Sequence, residues 1–219
     1  MKAALGAALL LFVFGASLAA EGRPRVVAGK SRGKKAAKKG ADPARWFATR
    51  PGLIRVYERR RATTSDDGNK ADLAGASCEV VESVPAAEGS SAQTGELCTM
   101  IVGKKPTPAT RLTYQLRQAG IFLVKAETGG KASAVERMLL PGGLRVGTRW
   151  VEAGAVKKER RVKTLGSRCK VERREFGDCL VVAVVSGKGR TAVKTTEKYA
   201  AGVGLVEDSQ WRLVDVQGL

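Results

Sequence analysis

Apolar and polar residues alternate along much of the chain after residue 45. In RLTYQLR, residues 111–117, the side chains of Leu112, Tyr114 and Leu116 share one face, and polar residues occupy the other. Strict alternation over this length predicts a strand with one buried face. The short segment QAG, residues 118–120, leads into a second apolar run, IFLVKAE, so the two runs predict a hairpin.

Short apolar runs separated by turn signals continue through the rest of the chain. CLVVAVV, residues 179–185, is continuously apolar and predicts a central strand, and TAVKTTEKYA, after the turn SGKGR, predicts the strand that returns beside it. The other predicted strands are LIRVYER, SCEVVESV, ELCTMIV, AVERMLLPGG, RWVEAG, KERRVKTLG and WRLVDVQ. Turn signals recur about every 8–12 residues, as in sandwiches and barrels. The predicted fold class is all-β, an antiparallel curved sheet, open barrel or sandwich.

The segment KYAAGVGLVED, residues 198–208, contains two glycines, Gly202 and Gly204, which could belong to a phosphate-binding turn or to a β-strand. A phosphate-binding turn would need a helix start after them, and EDSQWRLVDV does not have the pattern of one. We therefore predict one continuous strand in which the glycines leave a flat strip, covered by Trp150 or Trp211. The residues predicted to face the core are Tyr199, Val203 and Leu205.

Residues 1–20 have the organisation of a secretory signal peptide. Lys2 precedes an apolar run at residues 9–14, and small residues for a cleavage site follow at 17–19. An uncleaved membrane anchor is the alternative, because residues 3–20 carry no charge. No lipobox cysteine follows, and no later segment has the length and hydropathy of a transmembrane span. We expect a periplasmic or secreted protein with no transmembrane segment in the mature chain.

Charge is distributed unevenly along the chain. It has 39 basic and 21 acidic residues, a formal net charge of +18, and eight of the basic residues but no acidic one lie in residues 23–39. That stretch has too few large apolar side chains to offset the entropy of ordering it. Residues 21–44 are therefore predicted to be a flexible basic tail, followed by a single β-domain at 45–217. The candidate anion-binding residues of the tail are Lys30, Arg32, Lys34, Lys35, Lys38 and Lys39.

A cationic exported protein is attracted to anionic partners, which here would be lipopolysaccharide, anionic lipid, a wall polymer or nucleic acid. The alternative is a solvated tail that has no partner. Basic residues soon after a signal peptide also oppose translocation, so an inverted topology is a further alternative. Aromatic residues are only 5% of the chain, which gives little material for stacking on nucleic-acid bases.

Four cysteines behind a signal peptide predict a disulfide framework. Cys78 and Cys98 lie on two predicted strands that flank one loop, and Cys169 and Cys179 flank the short segment KVERREFGD. If each pair closes its own hairpin, the bridges are 78–98 and 169–179, the pairing that we favour among the three arrangements. Neither spacing fits the C-x-x-C motif of a redox site.

The chain has no histidine, which removes the commonest general base and the commonest metal ligand. The P-loop spacing and the dinucleotide fingerprint are both absent, so no cofactor and no enzymatic activity are expected. Paired carboxylates are the chemistry that is left. The candidates are Glu172, Glu175, Asp178, Glu207 and Asp208, and we interpret them as solvated surface charges among arginines and lysines.

Several segments, taken in order, resemble a group of exported bacterial β-domains, many of them lipoproteins. The matching segments are Trp46-Phe47, Pro51-Gly52 and Tyr57; Leu140, Pro141, Leu144, Gly147 and Trp150; Phe176 to Leu180 with Val182; and Tyr199 to Val206. The resemblance covers about residues 45 to 217. It implies an open barrel or curved sheet, similar in outline to lipoprotein-carrier domains, and no enzymatic activity. The absent lipobox and the basic tail depart from the group.

The sequence thus leaves two functional hypotheses. In the first, the protein is a non-enzymatic periplasmic or secreted β-domain that binds an apolar or amphiphilic ligand in the concave face of its sheet, or serves as an envelope interaction module. In the second, it binds anionic envelope polymers or nucleic acid electrostatically through the basic tail.

Overall fold

The computed structural model describes residues 40–60, 73–88, 90–102, 105–152, 157–187 and 189–219. In these residues the chain forms thirteen strands, joined in one antiparallel sheet, and two short 3-10 helices, Pro43–Trp46 and Gly189–Thr191. The strands are β1 (Ile54–Arg59), β2 (Leu73–Val84), β3 (Ala92–Val102), β4 (Lys105–Pro106), β5 (Thr110–Arg117), β6 (Gly120–Thr128), β7 (Lys131–Pro141), β8 (Arg149–Glu152), β9 (Lys158–Val171), β10 (Arg174–Ser186), β11 (Val193–Ala200), β12 (Gly204–Glu207) and β13 (Trp211–Gln217).

The sheet is built mainly from neighbours in sequence. Its order is β7-β6-β5-β3-β2-β1-β13-β12-β11-β10-β9-β8, with the short β4 paired to β3. The pairing of β1 with β13 joins the two halves of the chain. The end strands β7 and β8 lie close together: Arg137 Nε of β7 is 3.2 Å from Glu152 Oε1 of β8. The all-β prediction is confirmed, and its architecture is one nearly closed barrel instead of a two-sheet sandwich.

The core forms where the alternating faces turn inward. Tyr114 of β5 is buried, Leu112 and Leu116 pack beside it, and the two-residue turn 118–119 joins β5 to β6 as predicted. Tyr114 belongs to the larger of the two main hydrophobic clusters, which also contains Trp46, Leu140, Trp150, Leu180 and Val182 among other residues. A second cluster contains Tyr57, Cys179, Val206, Trp211 and Leu213.

The folded part of the chain begins earlier than the predicted boundary at residue 45. Ala41 forms a two-bond bridge with Leu144, and Asp42 accepts a hydrogen bond from the Ala44 backbone to cap the first 3-10 helix. Trp46, the last residue of that helix, is buried and donates from Nε1 to Asp178 Oδ1 at 3.2 Å. Residues 40–44 therefore belong to the domain, whereas the predicted signal peptide and residues 21–39 lie outside the described residues.

Both predicted disulfides are confirmed. Cys78 and Cys98 are directly opposite each other in β2 and β3 and are bonded. Cys169 and Cys179 are bonded across the β9–β10 hairpin, where irregularities in the register offset the two cysteines along their strands. Each bridge closes its own hairpin because the cysteines already lie on paired strands.

The prediction of one continuous strand through AAGVGLV is wrong. β11 ends at Ala200, residues 201–203 form a turn, and β12 starts at Gly204, so the two glycines belong to a hairpin. Val203 and Val206 are buried, while Leu205 is only half-buried. A Cβ atom added at Gly204 would first meet Arg55 and Ala48 instead of the tryptophan that was predicted to cover it. No helix start follows this segment, so the interpretation of the glycines as sheet punctuation holds.

Candidate interaction surface and buried ionic groups

The first buried ionic group joins Arg55 of β1 to Glu96 of β3. Arg55 Nη2 donates to Glu96 Oε1 at 2.5 Å, and the two side chains are only 6% and 5% exposed. The Arg55 guanidinium also lies 5.9 Å from the centroid of the Tyr57 ring. Burial raises the pKa of Tyr57 to about 12, and its hydroxyl donates to the Leu205 carbonyl at 2.8 Å. We call Arg55, Glu96 and Tyr57 the Arg55 group.

The second buried ionic group lies at the seam between β7 and β8. Glu152 accepts from Arg160 and pairs with Arg137, and Arg160 donates from Nε and Nη2 to the two oxygens of Glu197 at 3.2 and 2.9 Å. Tyr199 donates to Glu197 at 2.8 Å. We call Arg137, Glu152, Arg160, Glu197 and Tyr199 the seam group. It draws together side chains from β7, β8, β9 and β11.

Burial and charge act together in the seam group. Burial lowers the pKa of Arg137, and burial also raises the pKa of Tyr199 well above its ordinary value, with Glu197 adding to the rise. Burial alone would lower the pKa of Arg160, yet that pKa is raised because Glu197 stabilises the positive charge. These residues therefore form a charged, hydrogen-bonded interior in which each carboxylate faces a guanidinium.

This arrangement suits a structural link better than acid–base catalysis. The carboxylates of both groups are occupied by guanidinium donors, and a general base needs a free position within reach of its substrate. Among the described residues, no group of three or more His, Cys, Asp and Glu side chains is placed to hold a metal ion. In the same part of the chain, every buried charged side chain has an ion-pair partner, and the charged side chains without one are at least partly exposed.

The five carboxylates interpreted as surface charges are all hydrogen-bonded or ion-paired. Glu172 pairs with Arg212, Glu175 with Arg168, and Glu207 with Arg60 and Lys198. Asp178 pairs with Arg45 and accepts from Trp46, while Asp208 accepts from the backbone of Gln210 and Trp211. Asp178, Glu207 and Asp208 are only partly exposed, so they are less solvated than predicted. Burial raises the pKa of Asp208.

A surface rich in cations covers the outer side of β8–β11. We call it the basic face, and its cations are Arg149, Arg161, Lys163, Lys170, Lys194 and Lys198. All of these except Lys198 are exposed and make no ion pair with any described carboxylate. Lys198 pairs with Glu207, and the exposed acids Glu159 and Glu175 on this side pair with Lys157 and Arg168. The basic face therefore carries a local excess of positive charge.

The sheet register arranges the basic face in cross-strand rows. One row runs Val151, Glu159, Val185, Lys194, and the next runs Arg149, Arg161, Ala183, Thr196. A third row contains Thr164, Val181 and Lys198, with Lys163 beside it at a register irregularity. β10 thus supplies an apolar centre, and the cations lie on the strands that flank it.

The anion-binding residues predicted in the tail, Lys30 to Lys39, lie outside the described residues. The basic face was not predicted from the sequence, although KERRVKTLG contains its signal: Arg160 and Val162 are buried, while Arg161 and Lys163 between and after them are exposed. None of the helices in the described residues is long and apolar enough to cross a membrane.

The chain was compared with family models, curated proteins and solved structures. No family model matches it, and no curated protein matches it. A crystal structure of a candidate lipoprotein from Parabacteroides distasonis covers 81% of this chain and 100% of its own, with 14% sequence identity and a TM-score of 0.44. The resemblance to exported bacterial β-domains, drawn from the motifs, stays a prediction.

Proposed function

We propose that this protein is a non-enzymatic, exported β-domain that acts as an envelope interaction module by binding an anionic partner. The observation that carries the proposal is the basic face, where five exposed cations of the folded domain have no carboxylate partner among the described residues. The formal net charge of +18 and the basic residues of the tail act in the same direction. Such a charge distribution raises the association rate and affinity for anions at moderate ionic strength.

The side chains that occupy interior positions of the barrel favour a surface role over a ligand held inside it. Leu140, Leu180 and Val182 are fully buried in the larger core cluster, and the two ionic groups occupy further interior positions. Ligand cavities in small barrels require that the inward side chains leave space. The first hypothesis therefore stands in its form of an interaction module, with less support for an apolar ligand in the concave face.

Both disulfides support the exported part of the proposal, because such bonds persist in oxidising compartments and are rare in the cytosol. Protein isolated without reductant should contain no cysteine that reacts with an alkylating agent, as checked by mass spectrometry. Four alkylated cysteines would contradict export and would favour the inverted topology.

Binding is tested with two anionic probes, heparin and vesicles that contain phosphatidylglycerol. The full chain, in the processed form that its cells yield, should bind at least one probe at low salt. Binding should weaken steeply between about 0.05 and 0.5 M salt, because the Debye length shortens over this range. Phosphatidylcholine vesicles are the neutral control. Failure to bind either probe at low salt would refute the proposed function.

A further inference from the structure

We propose that the basic face binds the anionic headgroups of a phospholipid bilayer, with the β8–β11 side of the barrel lying on the membrane surface. This inference rests on the proposed function and assigns the site to the folded domain, in addition to the tail. The outer side of four adjacent strands spans about 15 Å across the strands, since neighbouring strands lie about 4.8 Å apart.

A like-charged pair on β8 and β9, at one edge of the face, points to a bound anion. Arg149 and Arg161 are directly opposite each other in β8 and β9, on the outer side of the sheet. Like charges in this position destabilise a sheet. No described carboxylate neutralises either guanidinium, although Glu159 is two residues away on the same side of β9 and pairs with Lys157 instead. A phosphate group between the two arginines would remove the repulsion.

The apolar side chains of the face suit a lipid surface. Val181, Ala183 and Val185 of β10 are half-buried and lie between the flanking cations. Val151, at the end of one row, is 49% exposed. Cations around an apolar centre match a membrane interface, where phosphates lie beside the glycerol and acyl region.

The same rows fit nucleic acid poorly. Binding of single strands relies on aromatic side chains on which bases stack. The outer rows of β8–β11 contain none, because Trp150 is buried on the opposite side of β8 and Tyr199 is turned toward Glu197 of the seam group. The observations therefore favour lipid headgroups, and nucleic acid becomes an outcome of the test.

The test compares two triple variants of matched charge in a chain, called the tail-neutral parent, in which the six candidate anion-binding residues of the tail are replaced. The tail substitutions are Lys30→Gln, Arg32→Gln, Lys34→Gln, Lys35→Gln, Lys38→Gln and Lys39→Gln. The face variant adds Arg149→Gln, Arg161→Gln and Lys163→Gln. The control variant adds Arg50→Gln, Arg59→Gln and Lys105→Gln, three exposed cations that likewise make no ion pair with a described carboxylate. Partitioning onto phosphatidylglycerol vesicles is measured by sedimentation.

The face variant should lose about a hundredfold in partition coefficient, because each basic residue near an anionic membrane contributes about fivefold. The control variant should lose only a few-fold. A charge-preserving variant, Arg149→Lys, Arg161→Lys and Lys163→Arg, should bind within a few-fold of the parent. If the face variant does not fold, the single variant Lys163→Gln should still show a loss of about fivefold.

Several results would overturn the inference. Equal losses in the face and control variants would exclude the face as the site. Abolished vesicle binding in the tail-neutral parent would assign the interaction to the tail. Binding of the wild-type chain to heparin or single-stranded DNA but not to vesicles would identify a polymer partner and leave the proposed function intact, whereas no binding to any probe would refute both.

Discussion

The Arg55 group and the seam group are both buried and charged, but the backbone around them differs. Arg55 and Glu96 lie on β1 and β3, which both hydrogen-bond to β2, so the sheet already holds them together. Arg137 and Glu152 lie on β7 and β8, the two ends of the sheet, which are not paired in the described strand order. At the seam, side chains join strands that no backbone ladder joins.

The difference changes what each group contributes. A buried ion pair offsets its own desolvation cost only when its geometry and partners are complete. The backbone hydrogen bonds to β2 hold β1 and β3 together without the Arg55–Glu96 pair, so apolar side chains could replace that pair. The seam group is a network of four charges, so no single pair within it can be replaced without changing the partners of a third charge. We therefore expect the barrel to tolerate replacement of the whole Arg55–Glu96 pair better than replacement of one pair at the seam.

The largest expected effect is that of Arg160→Met. It removes the donor shared by Glu152 and Glu197 and leaves both carboxylates buried, so the free energy of unfolding should fall by about 3–5 kcal/mol. Urea denaturation measures the change. The matched control is Arg161→Met, an exposed neighbour, which should stay within about 0.5 kcal/mol of wild type. Equal effects of the two substitutions would show that the seam group does not hold the barrel.

Paired substitutions test the comparison directly. Arg55→Met alone should cost about 3–5 kcal/mol, but Arg55→Met with Glu96→Leu should return to within about 1–2 kcal/mol of wild type, because no unpaired charge is left. Arg160→Met with Glu152→Leu should recover much less, since Glu197 stays mostly buried without its guanidinium partner. Double-mutant cycles in urea measure both recoveries. Similar recoveries in the two groups would remove the distinction drawn here.

Gly204 gives a smaller effect that is specific to the Arg55 group. Its φ is +90°, and a Cβ atom there would lie 2.9 Å from Arg55 Nη1 and 3.3 Å from the Ala48 nitrogen. Gly204→Ala should therefore cost about 2–4 kcal/mol from backbone strain and overpacking. Gly202→Ala, at φ +71° with open space around it, should cost about 1–2 kcal/mol from strain alone. Equal costs, measured by thermal unfolding, would show that the contact with Arg55 is unimportant.

The smallest effect concerns the pH dependence near the seam group. Burial raises the pKa of Asp208, and Glu197 adds to the rise. An acid whose pKa is raised on folding binds more protons in the folded state than in the unfolded state. Its contribution to the free energy of unfolding therefore falls as the pH rises from 3.8, the ordinary pKa, through the raised pKa. Asp208→Asn should remove this downward slope in urea titrations at several pH values.

Asp215 supplies the control of opposite sign. Its hydrogen bond from Gln217 lowers its pKa, so its contribution is present above the ordinary value of 3.8 and is lost as pH falls. Asp215→Asn should therefore flatten an upward slope instead of a downward one. The same change of slope in both variants would contradict the assigned environments.

Local patterns predicted most of the strands and both disulfides. The alternation around Tyr114 and the apolar run at 179–185 require only that one face of each strand leaves water, and adjacent hairpins then bring the cysteines together. For LIRVYER the pattern predicted a strand but not which of its faces is buried. The strand buries Leu53, Arg55 and Tyr57, and Arg55 is tolerated there because it meets a carboxylate 41 residues away.

The hairpin at residues 201–203 shows a second limit. Ala200 to Val206 is apolar enough to continue as one strand, and only the positive φ of Gly202 and Gly204 allows the turn. The basic face shows a third limit. Alternation in KERRVKTLG puts Arg160 and Arg161 on opposite faces, but only carboxylates on other strands allow Arg160 to lie inside.

The sequence by itself determined the all-β class, the hairpin order, the local disulfides and the excess of positive charge, because these depend on composition and on residues near one another in the chain. Tertiary structure decided which charges are buried together at the seam and which are left unpaired on β8–β11. Those outcomes depend on strands that are distant in sequence, whose register sets each side chain inside or outside. A buried charge is tolerated only where such a distant partner is within hydrogen-bonding reach.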